Sequence, residues 1–152
     1  ASRDIYNHDY IQFEDYVGKI IAIDTRHDLC LVTSNRKSGL KISSLASKPL
    51  DKLLLIGFPR GLGKTVRYGH HVDTEYIYAP WIKPETLYES INASFISYGG
   101  NSGSPVCNMK GEVVAILFAG DPRYHTEGLL VPLKYIKSFL LSGYIDSLLM
   151  KL

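Results

Sequence analysis

Cysteine, methionine and tryptophan are scarce in this chain, with two, two and one among 152 residues. Cys30 and Cys107 sit in strand-like apolar stretches and read as small buried side chains, so a disulfide framework is not expected. Long apolar runs are missing too. The longest, residues 113–119, falls far below the ~20 residues of a membrane span, and Ala1 onward shows no basic-then-apolar leader pattern, so no membrane partner is expected. Charge of neither sign predominates: 17 Lys and Arg against 15 Asp and Glu leave a net charge of +2. That balance does not call for nucleic acid, and the basic cluster Arg60, Lys64, Arg67, His70 and His71 reads as a solvated face, with His125 on the surface or a pocket rim. No metal is expected, because His70-His71-Val72-Asp73 lacks both a helical i, i+4 spacing and a fourth ligand. No other cofactor is expected either. Gly63-Lys64-Thr65 ends like a phosphate-binding loop, but Phe58 stands where that motif needs glycine, and β-prone Val66-Arg67-Tyr68 follows where it needs a helix.

What is present is a globular composition, 45% apolar and 21% charged, in a chain long enough to bury roughly 70% of its unfolded surface. Short β-prone runs dominate: residues 16–23, 29–32, 53–56, 65–68, 75–78, 113–118 and 128–131, punctuated by Gly, Pro and Asx. Their number and spacing point to an all-β sandwich or barrel rather than βαβ units. After Pro132 the pattern changes. Ile136, Phe139, Leu140, Tyr144, Leu148 and Leu149 recur near a 3.6-residue period, predicting one terminal helix with a break near Gly143. The Ser- and Lys-rich residues 35–48 read as a linker.

The most telling string is Gly100-Asn101-Ser102-Gly103-Ser104-Pro105. A hydroxyl attacks nothing at neutral pH unless a base takes its proton and donors hold the resulting oxyanion. Glycines on both sides of Ser102 allow a tight backbone whose successive N–H groups line one small hollow. This string and two others together resemble the trypsin/chymotrypsin-like serine proteases, above all their HtrA-like and virus- or phage-encoded members. The others are Asp24-Thr25-Arg26-His27-Asp28-Leu29-Cys30-Leu31-Val32 and the run from Ile56-Gly57-Phe58-Pro59 to Tyr68-Gly69, in the family's order and spacing.

The resemblance implies a double β-barrel with a C-terminal helix: residues 1–42 as the remainder of an N-terminal barrel, residues 43–152 as the C-terminal barrel and helix. It implies Ser102 as nucleophile, the N–H groups of Gly100 and Ser102 as oxyanion hole, and Asp28 as the carboxylate that orients the catalytic histidine. Ile96 and Ser97 would lie near the specificity pocket, and Leu117, Phe118 and Ala119 would form the strand that pairs with substrate. With no carboxylate at the pocket floor, a small or medium apolar side chain is the expected substrate residue. The histidine itself departs from the pattern. Its place falls upstream of Ala1, His8 is the weaker alternative, and His27 would face away from any site that Asp28 faces. The first barrel is likewise short of the about six strands a closed barrel needs, so an upstream segment or a second chain is expected to complete it. Asn101 stands where zymogen-activated relatives carry Asp. Together with the unpaired cysteines this favours an intracellular or viral setting. Two functions follow: a serine endopeptidase acting through an acyl-enzyme, in viral polyprotein or other protein processing, or a catalytically inactive protease-fold binding or virion module.

Overall fold

A computed structural model describes residues 9–149 except 14, 38, 62, 81–82 and 96–99, with backbone alone for 146–149. Two compact units divide the chain, one comprising residues 1–39 and 136–152, the other residues 40–135. The expected boundary left all of 43–152 in one piece, whereas the contacts group most of the helix with the N-terminal strands.

In the first unit β1 (Tyr10–Gln12), β2 (Val17–Asp24) and β3 (Leu29–Val32) form an antiparallel sheet in the order β1-β2-β3. Among the described residues these three strands form an open sheet and not a closed barrel. Asp24 makes the β2–β3 turn: its Oδ1 accepts the N–H groups of Arg26 and His27 at 2.9 and 3.2 Å. The helix α1 (Leu133–Leu149) starts directly after Pro132 and continues through Gly143 without the expected break. Gly143 is there for closeness, since a Cβ at that position would overlap Leu31 of β3. Leu133, Ile136 and Gly143 are buried at helical spacing, while Tyr144, expected on the apolar face, is exposed. Leu148 and Leu149 are described by backbone only.

The second unit is a closed antiparallel barrel. Its strands are β4 (Lys52–Gly57), β5 (Thr65–Tyr78), β6 (Leu87–Ala93), β7 (Pro105–Cys107), β8 (Val113–Gly120) and β9 (Gly128–Pro132), in the order β4-β5-β6-β9-β8-β7, with β7 returning to β4. Leu53 and Leu55 alternate inward from β4 and meet Ile91, Val106, Leu117 and Leu130 in the core. Each such side chain contributes about 1.5–3 kcal/mol by leaving water. The two runs expected at 65–68 and 75–78 are one fourteen-residue strand with an irregularity between His71 and Asp73. The linker is also less free than expected, because Ser43 N–H donates to Val113 O and Val113 N–H to Lys41 O, at 2.9 and 2.8 Å.

Candidate active site

The loop between β6 and β7 carries Ser102, and its geometry follows from its glycines. Gly100 and Gly103 have φ of +94° and +87°, outside the range L side chains readily adopt. Gly100 also presses on the short turn Pro59–Gly61: a Cβ there would stand 2.8 Å from Phe58 O and 2.9 Å from Arg60 N. The far side of the loop is tied to β8. Gly103 N–H donates to Leu117 O at 2.7 Å and Leu117 N–H to Ser104 O at 3.0 Å. Between these anchors Ser102 is exposed, its hydroxyl donating to Phe118 O over a long 3.4 Å. The N–H groups of Gly100 and Ser102 donate to no acceptor among the described residues. Chemically, the loop offers an accessible hydroxyl and two uncommitted main-chain donors in one tight turn.

Beneath the loop lies Asn101, 0% exposed, with neither amide atom hydrogen-bonded among the described residues. It fills the space that a side chain on Gly57 would occupy, together with the buried Ser104.

The strand after the loop is bent for a reason. The β8–β9 pairing slips between Leu117 and Ala119, which makes Phe118 the irregular residue and aims its carbonyl at Ser102. The side chains of Leu117 and Phe118 are buried, with the Phe118 ring 6.1 Å from that of Tyr88. Ile96 and Ser97, assigned to the pocket floor, lie outside the described residues.

Residues 121–127, which follow β8, are held by a polar cluster that the sequence did not signal. Asp121, its side chain fully buried, accepts from Arg123 Nε at 3.1 Å and Nη2 at 2.9 Å, and from Asn92 Nδ2 at 3.1 Å. Arg123 also reaches Glu75, while Asn92 donates to Glu75 and Glu127. Burial alone would raise the Asp121 pKa, but the hydrogen bonds and charge of Arg123 outweigh it and hold the carboxyl below its ordinary value. Arg123 is two residues from Asp121, but Asn92 and Glu75 reach the cluster from β6 and β5, far off in the chain.

Asp28 belongs to the other unit. It has φ of +56° at the end of the β2–β3 turn and is exposed, and its carboxylate has no hydrogen-bond partner among the described residues. Partial desolvation pushes its pKa up. The turn-capping role is taken by Asp24, whose Oδ2 also holds His27 Nδ1 at 2.7 Å. His70 bonds Ser94 through Nδ1, at 2.9 Å. His71 is not on the solvated face expected for it: it is 1% exposed, with Ser47 Oγ on Nδ1 at 2.9 Å and Thr74 Oγ1 on Nε2 at 3.0 Å. Its place in the long strand turns it inward, and the two hydroxyls satisfy a neutral ring. His8 lies outside the described residues. No described histidine therefore bonds Asp28 or Ser102.

Comparison with known proteins agrees with the fold. An inactive serine-to-alanine mutant of Rv3671c from M. tuberculosis superposes with a TM-score of 0.71 at 14% identity, covering 90% of this chain and 70% of the other. The active form of the Rv3671c protease gives 0.74 at 16%, covering 87% and 61%. A serine endoprotease from Yersinia pestis gives 0.69 at 17%, covering 91% of this chain and 49% of its own. The chain thus spans roughly half to seven tenths of these proteins. Residues 7–116 match the sequence family described as the trypsin-like peptidase domain, a stretch that takes in both the Asp28 turn and the Ser102 loop. The chain belongs to the trypsin-like peptidase family.

Proposed function

We propose that the protein is a serine endopeptidase in which Ser102 is the nucleophile, the Gly100 and Ser102 amides form the oxyanion hole and Asp28 orients the general base. The observation that carries the proposal is the exposed Ser102 hydroxyl between two positive-φ glycines, beside main-chain donors with no acceptor among the described residues. In the first step Oγ bonds to the scissile carbonyl carbon while its proton passes to a histidine. The oxyanion is met by the two amides, each worth about 3 kcal/mol in such a transition state. Collapse breaks the C–N bond, the leaving amine takes the proton, and water releases the acyl group by the same route. The Asp28 carboxylate, which has no hydrogen-bond partner among the described residues, is available to orient that histidine, either one from an upstream segment or second chain or else His8. Substrate would pair with main chain at residues 117–119, and the absence of a carboxylate at Ile96 and Ser97 favours a small or medium apolar residue before the cut. Cleavage within a viral or other polyprotein rests on the sequence resemblance alone.

The test is labelling by a fluorophosphonate of protein extended upstream of Ala1, beside its Ser102→Ala variant. Labelling of the first and not the second is expected. Equal labelling of both, or of neither, overturns the proposal.

A further inference from the structure

We infer that the second barrel carries a docking groove for an acidic peptide segment with interleaved apolar residues, separate from the candidate active site. A cavity of about 540 Å³ is lined by Lys41, Lys48, Lys52 and Lys110 among others. It adjoins one of about 710 Å³ that shares Lys52 and Met109 with it. The groove lies at the Lys52 end of β4, and Gly57, which abuts Asn101 and Ser104, lies at the other. Five strand steps separate those ends by about 17 Å.

Two features say what the groove takes. The first is charge. Lys41 is paired with Glu112 at 3.3 Å, and Asp51 is occupied by the Lys48 N–H at 3.0 Å. Lys48, Lys52 and Lys110 have no ion-pair partner among the described residues, and with four lysines against the two carboxylates of Asp51 and Glu112 the lining carries an excess of positive charge. The second is a pair of fixed apolar knobs. Leu50 is 83% exposed at φ of +76°, a conformation that costs a leucine about 1–2 kcal/mol. It is nonetheless clamped there: Leu50 N–H donates to His71 O and His71 N–H to Asp51 O, both at 2.9 Å. Leu45, 76% exposed, is fixed by buried Ser43, whose Oγ donates to Leu45 O at 2.7 Å and lies 3.1 Å from its N–H. Leucines whose main chain is held so that the side chain faces water gain nothing from solvent there, and the backbone part of the ordering cost of binding is already met. Phosphate recognition alone has no use for them. A peptide that places carboxylates on the lysines and apolar side chains against Leu45, Leu50 and Met109 uses both features.

The probe is a labelled peptide alternating Asp with Leu or Phe, titrated by fluorescence anisotropy into the Ser102→Ala protein, so that cleavage cannot imitate weak binding. Controls are the same peptide with Lys for Asp, the same with Ser for the apolar residues, and a single-stranded oligonucleotide. Saturable, salt-sensitive binding of the first peptide is expected, at least tenfold weaker for either peptide control and for the oligonucleotide. In the protein, Leu50→Gly should weaken binding at least tenfold while raising the melting temperature, because glycine accepts that φ without strain. Lys48→Glu with Lys52→Glu should weaken it similarly. Absence of saturable binding, tighter binding of the oligonucleotide, or unchanged affinity in both protein variants overturns the inference, whatever becomes of the peptidase reading.

Discussion

Replacing Gly100 by alanine tests the construction of the Ser102 loop, and Gly103→Ala is its control. Both residues have φ near +90°, so both substitutions carry a similar backbone penalty of about 1–2 kcal/mol. They differ in their surroundings. A Cβ on Gly103 meets nothing within 4 Å, whereas one on Gly100 lands 2.8 Å from Phe58 O and 2.9 Å from Arg60 N. Those neighbours are main-chain atoms of a turn already closed by Gly61 N–H on Phe58 O at 3.1 Å, so they cannot swing aside as a side chain could. Overpacking of that kind adds about 1–3 kcal/mol, which puts Gly100→Ala near 2–5 kcal/mol and Gly103→Ala near 1–2 kcal/mol. Urea unfolding followed by Trp and Tyr fluorescence measures both, provided the m-value stays constant. Equal destabilisation by the two substitutions would refute the claim that the Phe58–Arg60 backbone sets the position of the loop.

Asp28→Asn should leave stability at neutral pH unchanged or slightly raised by thermal melt, since burial raises the native carboxyl pKa and the charged form is the disfavoured one. Any such gain should vanish as pH falls below the ordinary carboxyl value near 4. Arg123→Ala leaves the fully buried Asp121 side chain without its cation and should cost about 1–3 kcal/mol in denaturant unfolding, less than for a fully buried pair because Arg123 is itself half exposed. Asp121→Asn in that background should recover part of the loss. Burial depresses the His71 pKa, so its contribution to stability is whole above about pH 6.5 and is lost as pH falls toward the lower native value. The melting temperature should drop over that window, and less steeply in His71→Gln.

Short β-prone runs such as Leu53-Leu54-Leu55-Ile56 announced barrel strands by composition and length, and the fold then turns Leu53 and Leu55 to the core. β6 escaped notice because Tyr88, Ser90 and Asn92 are buried along with Ile91 and Ala93, leaving no alternation to read. The middle of β5 was obscured by Gly69, His70, His71 and Asp73, whose polar groups are satisfied by residues distant in sequence such as Ser94 and Ser47. Gly143 looked like a helix break when read alone, since only the folded chain shows Leu31 against it. The Ser102 loop was legible through its two glycines, because main-chain conformation leaves a mark on local sequence. The clamp of Asp121, Arg123 and Asn92 left none, since an Asp and an Arg two apart in a loop are common and the reach of Asn92 and Glu75 to them appears only in the folded chain.

The pairing of Leu54 with Cys107 and Leu55 with Val106 is the seam at which the cylinder of sheet is sewn shut, and the serine-bearing turn hangs from the end of that seam. Its two edges come from distant parts of the chain, and such contacts tend to form late in folding. The Ser102 turn therefore takes its final shape only after the cylinder has closed, and a mutation that loosens the stitch shifts that turn without touching Ser102.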